Sequence, residues 1–196
     1  MTNTLVCFLE EPSAMNLLKG ILPRLLPPGM NVCYHVFKGK QHLDKNIGRR
    51  LRNYCLPGAR FLVMRDQDAG DCKNVKQQLQ TIVNTTGKSA ATKIRIACHE
   101  LETFYLGDLP AVESALLLKN IARQQNTAKY RAPDTMPNPS ELLKNLTSSK
   151  YQKIAGSRAI APHLKLDGSN RSTSFNNLVD GIRRLVSTPA TTRSPQ

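Results

Sequence analysis

The first half of the chain alternates four short apolar runs with helical patterns, and this alternation constrains the fold more than any other feature. Strands are predicted at residues 4–9, 31–37, 60–65 and 93–98, and amphipathic helices follow the first three at about 12–26, 44–54 and 72–85. Short connections between such elements are typical of βαβ crossovers, in which a helix returns the chain to the start of a parallel strand. The sequence therefore predicts an α/β fold with a mostly parallel four-stranded sheet and helices on both faces.

The second half of the chain has a different composition, in which Pro, Asn, Ser and basic residues become frequent. Residues 118–186 are predicted to form a basic, mainly helical extension packed on a sheet domain of residues 1–117. Ser172 or Thr173 is expected to cap the last helix, which carries an apolar stripe. The polar tail of residues 187–196 is predicted to be disordered.

Acidic residues are concentrated where the predicted strands end. Seven of the 14 acids lie in three clusters, which are Glu10-Glu11, Asp66-x-Asp68-x-x-Asp71 and Glu100-x-Glu102. The carboxyl ends of parallel strands meet at one edge of a sheet, so the clusters are expected to project toward the same place. Gathered carboxylates repel one another, and divalent cations with oxygen ligands relieve that repulsion. A carboxylate metal site is therefore predicted at this edge.

The members of these clusters have different expected roles. Asp66 and Asp68 alternate in a segment predicted to be extended, so both side chains would face one ion. Asp71 is better explained as the N-cap of the helix that follows it. If the segment after the fourth strand is helical, Glu100 and Glu102 diverge by about 200° and only one of them reaches the site. Glu100 is the preferred ligand, and Glu102 stays in the candidate set of metal ligands.

The charge balance favours a polyanionic partner. The chain carries 28 Lys and Arg against 14 Asp and Glu, a formal net charge of +14. Residues 114–196 hold 13 basic and 4 acidic residues, which gives that part a net charge of +9. Neutralising the phosphates of a nucleic acid releases counterions, so such a surplus favours nucleic-acid binding. A solvated basic surface and an acidic partner protein are the alternatives.

Other features of the sequence argue against several classes of protein. The five cysteines have no zinc-type spacing and are predicted to be reduced thiols, with Cys7, Cys33 and Cys98 packed inside strands. No apolar run approaches the roughly 18 residues of a membrane span, and no signal-peptide pattern is found, so a cytoplasmic location is expected. A phosphotransferase or primase-like enzyme lacks support, because the chain has no Gly-x-x-x-x-Gly-Lys loop and no zinc-ribbon cysteine set.

The acidic clusters resemble the Toprim pattern of topoisomerases, primases and overcoming-lysogenization-defect nucleases, in which a Glu follows the first strand and an Asp-x-Asp follows a later one. Glu10 and Asp66-x-Asp68 match this pattern in order and position. Longer segments are similar to a family of small stand-alone bacterial Toprim-like proteins of unassigned function. These segments are LEEPS at 9–13, RDQDAGDC at 65–72, ACHELETFYLGD at 97–108 and AGSRAI at 155–160, followed by Pro162-His163.

The resemblance implies a Toprim-like (Rossmann-like) fold over nearly the whole chain and an acidic, metal-binding site. It also implies a partner, because members of the small family are often encoded beside an AAA- or ABC-type ATPase in loci associated with defence against phage. One position departs from the motif, since Glu11 stands where the usual Toprim pattern has Gly.

Two functions are consistent with these features. In the first, the protein is a Mg²⁺- or Mn²⁺-dependent nuclease of a defence system: Asp66 and Asp68 hold the ions, Glu100 helps with a second one, and Glu10 binds metal or acts as general base. Cations for the charge that develops on the phosphate are expected in the C-terminal segment, at Lys150, Lys153, Arg158 and His163. In the second, the domain is a non-catalytic sensor or toxin subunit that binds nucleic acid or an ATPase through a degenerate site. DNA and RNA targets are both open.

Overall fold

A single parallel sheet organises the fold. The structure, a computed structural model, describes residues 3–68 and 70–187. The strands are β1 (Thr4–Leu9), β2 (Asn31–Val36), β3 (Arg60–Asp66) and β4 (Thr92–Ala97), and each agrees with its predicted range to within one residue at either end. They pair in the order β2-β1-β3-β4, and every pairing is parallel. The predicted α/β class and four-stranded parallel sheet are confirmed.

The strand order creates a switch point between β1 and β3. The strand β2 pairs with one edge of β1, and the chain then crosses back so that β3 pairs with the opposite edge of β1. In the register of this pair, Leu9 at the end of β1 lies opposite Met64 of β3. Ligands of open parallel sheets bind beyond the carboxyl ends of the strands at such a point. Glu10, which directly follows β1, and Asp66, the last residue of β3, therefore border it.

Helices cover both faces of the sheet, as predicted, because the central strands β1 and β3 are buried on both faces and need apolar cover on each side. One face packs against α1 (Pro12–Ile21) and the C-terminal helices, and the other packs against α2 (Lys40–Arg52) and α3 (Cys72–Asn84). The helix predicted to run to residue 26 ends as an α-helix at Ile21 and continues as a 3₁₀ turn over Leu22–Arg24. Pro23 explains this, since proline lacks an N–H and collides with the carbonyl four residues earlier.

The C-terminal half forms short helices on the α1 side of the sheet. They are α4 (Thr103–Leu106), α5 (Leu109–Ala115), α6 (Pro139–Leu146), α7 (Lys153–Ile160) and α8 (Thr173–Ser187), with short 3₁₀ turns between them. The α7 helix packs on α1, and α8 packs on β4. Phe175 and Ile182 of α8 join the same hydrophobic core as Leu5 of β1 and Leu17 of α1. The extension and the sheet therefore share one core.

The ends of α8 bear on two predictions. The hydroxyl of Ser172 accepts a hydrogen bond from the Phe175 N–H at 3.1 Å, which makes Ser172 the N-cap that the sequence offered as one of two choices. The predicted disordered tail began at residue 187, but Ser187 is the last residue of α8, and residues 188–196 lie outside the described residues.

Two further predictions concern the cysteines and the membrane. All five cysteines are free; Cys7 is buried and Cys98 is half-buried, but Cys33 is exposed because β2 is an edge strand with one uncovered side. The predicted packing of Cys33 is therefore wrong. Over residues 3–68 and 70–187, the structure has no helix with the length and apolar character needed to cross a membrane.

Candidate functional site

The candidate site lies at the carboxyl edge of the sheet and is built first from Glu10 and Asp66. The backbone N–H of Asp66 donates a hydrogen bond to Glu10 Oε2 at 3.0 Å. Asp66 is the last residue of β3 and is only 7% exposed, although its side chain is a carboxylate. The two acids that follow β1 and end β3 therefore meet, as the strand ends predict. We call the group formed by Glu10, Glu11, Asp66, Asp68 and Glu102 the acidic edge.

Burial and mutual repulsion dominate the electrostatics of Asp66. Its pKa is raised well above the usual value by burial first and then by the charges of Glu11, Glu10 and Glu102, while Lys153 opposes the shift. Burial also raises the pKa of Glu10, and the hydrogen bond from Asp66 N–H partly offsets that rise. Both carboxyl groups therefore hold their protons more tightly than exposed acids do, unless a cation is present.

Glu102 is the most deeply placed member of the acidic edge. It is fully buried, and the hydroxyl of Tyr151 donates a hydrogen bond to Glu102 Oε1 at 2.8 Å. Its other oxygen, Oε2, is buried and has no hydrogen-bond partner among the residues that the structure describes. Burial raises the pKa of Glu102, while Lys153 and the bond from Tyr151 work in the opposite direction. A buried carboxylate oxygen without a partner is rare in folded proteins and calls for a ligand.

Glu100, the preferred ligand of the sequence prediction, has a structural partner elsewhere. Its Oε2 accepts a hydrogen bond from the backbone N–H of Ser140 at 2.8 Å, in the first turn of α6. The segment from Cys98 to Glu102 is not helical, since α4 begins at Thr103 and His99 has a positive φ of 57°. The helical geometry that favoured Glu100 over Glu102 therefore does not apply here. Glu102, not Glu100, is among the acids that raise the pKa of Asp66.

Asp68 adopts a turn conformation and pairs with a cation. The φ of Asp68 is 56°, in the left-handed region, so the expectation of an extended Asp-x-Asp segment is wrong at this residue. A hydrogen bond from Asp68 N–H to the His99 carbonyl at 2.8 Å holds the turn. The Asp68 carboxylate pairs with Lys40 at 2.8 Å and lies 3.9 Å from the Arg65 guanidinium. Asp68 nevertheless raises the pKa of Glu10, so it borders the same group.

One cation from the C-terminal half enters the acidic edge. Lys153, the first residue of α7, pairs with Glu11 at 2.8 Å, and Ser13 Oγ donates a hydrogen bond to the other oxygen of Glu11. Burial alone would lower the pKa of Lys153, but Glu11, Glu102 and Asp66 raise it above its usual range. The packing of α7 on α1 therefore places an ammonium group beside three carboxylates.

The other predicted nucleic-acid contacts are on the surface. Lys150 and Arg158 are exposed, and exposed His163 has its Nδ1 3.4 Å from Ser114 Oγ. Arg158 and Lys153 line one groove beside α7. Of the four predicted cations, only Lys153 forms an ion pair with an acid in the described part of the chain.

The predicted helix cap is confirmed. The N–H of Asn74 donates to Asp71 Oδ1 at 2.8 Å at the start of α3. Asp71 thus has a structural partner, in agreement with its exclusion from the predicted metal ligands.

The donors of the acidic edge suit a hard divalent cation. They are carboxylate oxygens, several are buried, and Glu102 Oε2 has no other partner. Within residues 3–68 and 70–187, no group of three or more His, Cys, Asp or Glu side chains converges closely enough to hold an ion. Asp68 faces Lys40 and Glu11 faces Lys153, which accounts for the incomplete convergence. The chemistry of the donor set fits a metal, and the ion pair between Asp68 and Lys40 would have to open for Asp68 to join the set.

A family model described as "Domain of unknown function (DUF4276)" matches residues 9–183 of this chain. The chain belongs to this DUF4276 family. The family's description states no activity, and no curated protein matches the sequence.

Among solved structures, the DUF4276 chain is similar to the C-terminal region of the Burkholderia pseudomallei OLD protein. The TM-score is 0.51 with 15% sequence identity, over 93% of this chain and 98% of that one. At this identity the similarity is one of fold. The chain has a Toprim-like fold, as the acidic motifs predicted.

Three residues of the site were not found from the sequence. Tyr151 donates a hydrogen bond to Glu102, Lys40 pairs with Asp68, and Arg65, whose closer partner is Asp44, lies 3.9 Å from Asp68. Arg65 directly precedes the Asp-x-Asp motif, so its position was a usable signal. Lys40 is the first residue of α2, and Tyr151 lies two residues before α7. No local spacing in the sequence indicates that either residue reaches the acidic edge.

Proposed function

We propose that this protein is a divalent-metal-dependent nuclease that hydrolyses phosphodiester bonds at the acidic edge. The observation that carries the proposal is the burial of Asp66 and Glu102 next to half-buried Glu10, beside the switch point of the sheet. A buried group of carboxylates is unfavourable unless a cation is bound or protons are taken up. The Toprim-like fold supports the same conclusion by analogy of fold.

Asp66 and Glu102 are the proposed ligands of Mg²⁺ or Mn²⁺, and of the two roles predicted for Glu10, metal binding and proton transfer, we assign it the second. Asp68 would join them once its ion pair with Lys40 opens. We assign Glu100 to holding α6 against this edge, because its carboxylate binds the first turn of that helix. The bound cation would neutralise charge on the phosphate that is attacked.

Glu10 is the proposed general base. Its raised pKa brings it closer to that of an effective proton acceptor near neutral pH than an exposed carboxylate would be. In the proposed reaction the oxygen of a water molecule bonds to phosphorus while one phosphorus–ester oxygen bond breaks. Glu10 takes the proton from that water, and the departing oxygen takes a proton from solvent. Lys153 lies close enough to the acids to donate a hydrogen bond to a phosphate oxygen of the substrate.

Asp66→Asn tests this mechanism. It keeps the size of the side chain but removes a charge from the cluster, so Mn²⁺- and Mg²⁺-dependent cleavage of DNA and RNA should fall by at least about a hundredfold. Asp71→Asn is the matched control, since Asp71 belongs to the same sequence motif but caps α3; it should retain cleavage. If Asp66→Asn cleaves as fast as the unaltered protein, the proposed site is wrong.

A non-catalytic subunit is the second candidate, and the ion pairs at the site favour it. Lys153 and Lys40 already supply positive charge to Glu11 and Asp68, so the fold partly neutralises its own acids. In that case the domain would bind nucleic acid or an ATPase without cleaving anything. Titration calorimetry with Mn²⁺ separates the two functions: a saturable heat that Asp66→Asn removes supports the nuclease, and its absence supports the non-catalytic subunit.

An ATPase is the proposed protein partner. By resemblance to small stand-alone Toprim-like proteins, an AAA- or ABC-type ATPase encoded nearby would work with this chain in defence against phage. Copurification with the protein encoded by the neighbouring gene, followed by cleavage assays of the complex on plasmid, single-stranded DNA and transfer RNA, tests this assignment.

A further inference from the structure

A second charged site lies outside the acidic edge, along the edge strand β4. A cleft of about 630 Å³ is bordered by residues 94–96 of that strand and by Cys98 just after it. Its other borders are the first turns of α3, residues 131–135 and the start of α8. The volume is in the range of protein sites that bind organic ligands.

Four cations line this cleft, and we call them and the space between them the basic cleft: Lys76, Arg95, Arg131 and Arg171. Within residues 3–68 and 70–187, none of the four forms an ion pair with a carboxylate. The one acid in the lining is Asp134, which accepts hydrogen bonds from the Ser174 N–H at 2.7 Å and from the Ser172 hydroxyl at 2.6 Å. Asp134 therefore serves the N-terminus of α8 rather than the cations.

Like charges repel one another around the cleft. Burial lowers the pKa of Lys93, and the charges of Arg95, Lys76 and Arg184 lower it further. Burial likewise lowers the pKa of Arg95, with Arg184 adding to the shift and Asp180 opposing it. An anion bound in the cleft would relieve this repulsion.

Two of the arginines are held in place by neutral groups, which leaves their charge available. The Arg95 guanidinium donates to the Asn177 carbonyl at 2.8 Å and to the Ile94 carbonyl at 3.1 Å. The Arg171 guanidinium donates to Asn126 Oδ1 at 2.8 Å. A guanidinium that is oriented in advance loses less conformational entropy when it binds phosphate, and its planar fork matches two phosphate oxygens.

We propose that the basic cleft binds the phosphodiester backbone of a nucleic-acid strand and leads it to the acidic edge. The four residue steps from Ile94 to Cys98 span about 13 Å along β4. Cys98 follows Ala97, which lies opposite Asp66 in the register of β3 and β4, so one end of the cleft adjoins the proposed nuclease site. The proposal rests on the proposed function for its substrate class, but it concerns binding by different residues and needs no metal.

Fluorescence anisotropy with a labelled single-stranded DNA oligonucleotide in EDTA tests the proposal. The triple variant Lys76→Gln, Arg131→Gln, Arg171→Gln changes exposed side chains only. Its affinity should fall by at least about tenfold near physiological salt, and the slope of log K against log[salt] should become shallower by about two. The matched control is Lys45→Gln, Arg49→Gln, Arg52→Gln on the exposed face of α2, which removes the same charge; it should lose less than about threefold.

Two further probes identify the ligand. An abasic oligonucleotide of the same length should bind as the normal one does, because phosphates rather than bases are contacted. A poly-glutamate peptide of equal charge should bind more weakly and should lose nothing in the triple variant.

Several results would overturn the proposal. Unchanged affinity and salt slope in a triple variant that unfolds at the normal temperature would do so, as would an equal loss in the α2 control. Should the triple variant fail to fold, Arg131→Gln alone must lower affinity by about threefold, since removal of one phosphate contact has that order of effect. Because these measurements are made without metal, the basic cleft can fail while Asp66-dependent cleavage stands, and the reverse also holds.

Discussion

The acidic edge and the basic cleft both gather like charges, but the fold supplies opposite charges only to the acidic edge, and only in part. At the acidic edge, Glu11 has Lys153 as its partner, Asp68 has Lys40, and Glu102 receives a hydrogen bond from Tyr151. In the basic cleft the cations meet carbonyl and amide oxygens instead of carboxylates. The acidic edge is only partly satisfied within the chain, since Glu102 Oε2 has no partner among the described residues. The four cations of the basic cleft have no carboxylate partner among those residues, so this region depends more on something outside the chain.

The largest expected effect is a pH dependence of stability that comes from the acidic edge and not from the basic cleft. The folded-state pKa values of Asp66, Glu10 and Glu102 are raised, mainly by burial. A carboxyl group with a raised folded pKa contributes stability below its unfolded pKa of about 4 and loses it as the pH rises through the folded pKa. In EDTA the free energy of unfolding should therefore fall as the pH rises from about 4 toward neutral.

Urea unfolding at several pH values measures that fall. Asp66→Asn should flatten it, whereas Glu141→Gln, a change at an exposed acid of α6, should leave it in place. Saturating Mn²⁺ should restore stability at neutral pH. A steady rise in stability over the same range would contradict the description of the acidic edge.

The next largest effect is a difference in Mn²⁺ affinity between variants of Glu102 and Glu100, two acids that lie close in sequence. Glu102→Gln removes a buried carboxylate with an unpartnered oxygen, so the affinity for Mn²⁺ should fall by about ten- to a hundredfold. Glu100→Gln removes the carboxylate that binds the Ser140 N–H, so it should cost about 1 kcal/mol of stability and change Mn²⁺ affinity by less than about threefold. Calorimetry and urea unfolding on both variants measure the two quantities. A larger loss of Mn²⁺ affinity in the Glu100 variant would restore Glu100 as the ligand.

A smaller effect is expected at Lys153. Lys153→Gln removes a positive charge from the acidic edge, so Mn²⁺ should bind about threefold more tightly, and the metal-free protein should lose about 1 kcal/mol of stability. Exposed Lys150 is the matched control, and Lys150→Gln should change neither value. Weaker Mn²⁺ binding in the Lys153 variant would mean that this residue organises the ligands rather than competing with the ion.

The smallest expected effect concerns Arg95 of the basic cleft, which is tested by a change in the helix that packs against it. Gly181 of α8 lies against Arg95, and an added Cβ would stand 2.3 Å from the guanidinium Nη2. Gly181→Ala should therefore displace that side chain and lower the metal-free affinity for the oligonucleotide by about threefold. The helix should not suffer, since Ala is the better helix former. If the affinity does not change while the protein stays folded, Arg95 is not among the contacts.

Much of the fold could be predicted from the sequence because its signals are local. Each strand is a compact apolar run, and the segment between successive strands is long enough to hold the helix of a parallel crossover. The same reasoning placed Glu10 and Asp66 at one edge, since strand ends converge whatever the side chains do. Ser172 and Asp71 also follow local rules, because a helix cap depends on residues within one turn.

The remaining features depend on contacts between distant parts of the chain. Asp68 adopts a left-handed turn because its N–H binds the His99 carbonyl, and nothing in the motif itself indicates that bond. Lys153 reaches Glu11 only because α7 packs on α1. The basic cleft combines cations from α3, β4 and two later segments, so no run of basic residues marks it in the sequence.

The shared core has a consequence for the order in which the protein can be made. Domains tend to fold from the N-terminus as synthesis proceeds. Here, however, apolar side chains such as Leu17 of α1 and Leu62 of β3 are covered by a core that includes Phe175 and Leu185. A nascent chain that has only its sheet strands must wait for the last helix before that core closes. By then Lys153 has already left the ribosome, so the finished acidic edge is never present without the lysine that accompanies it.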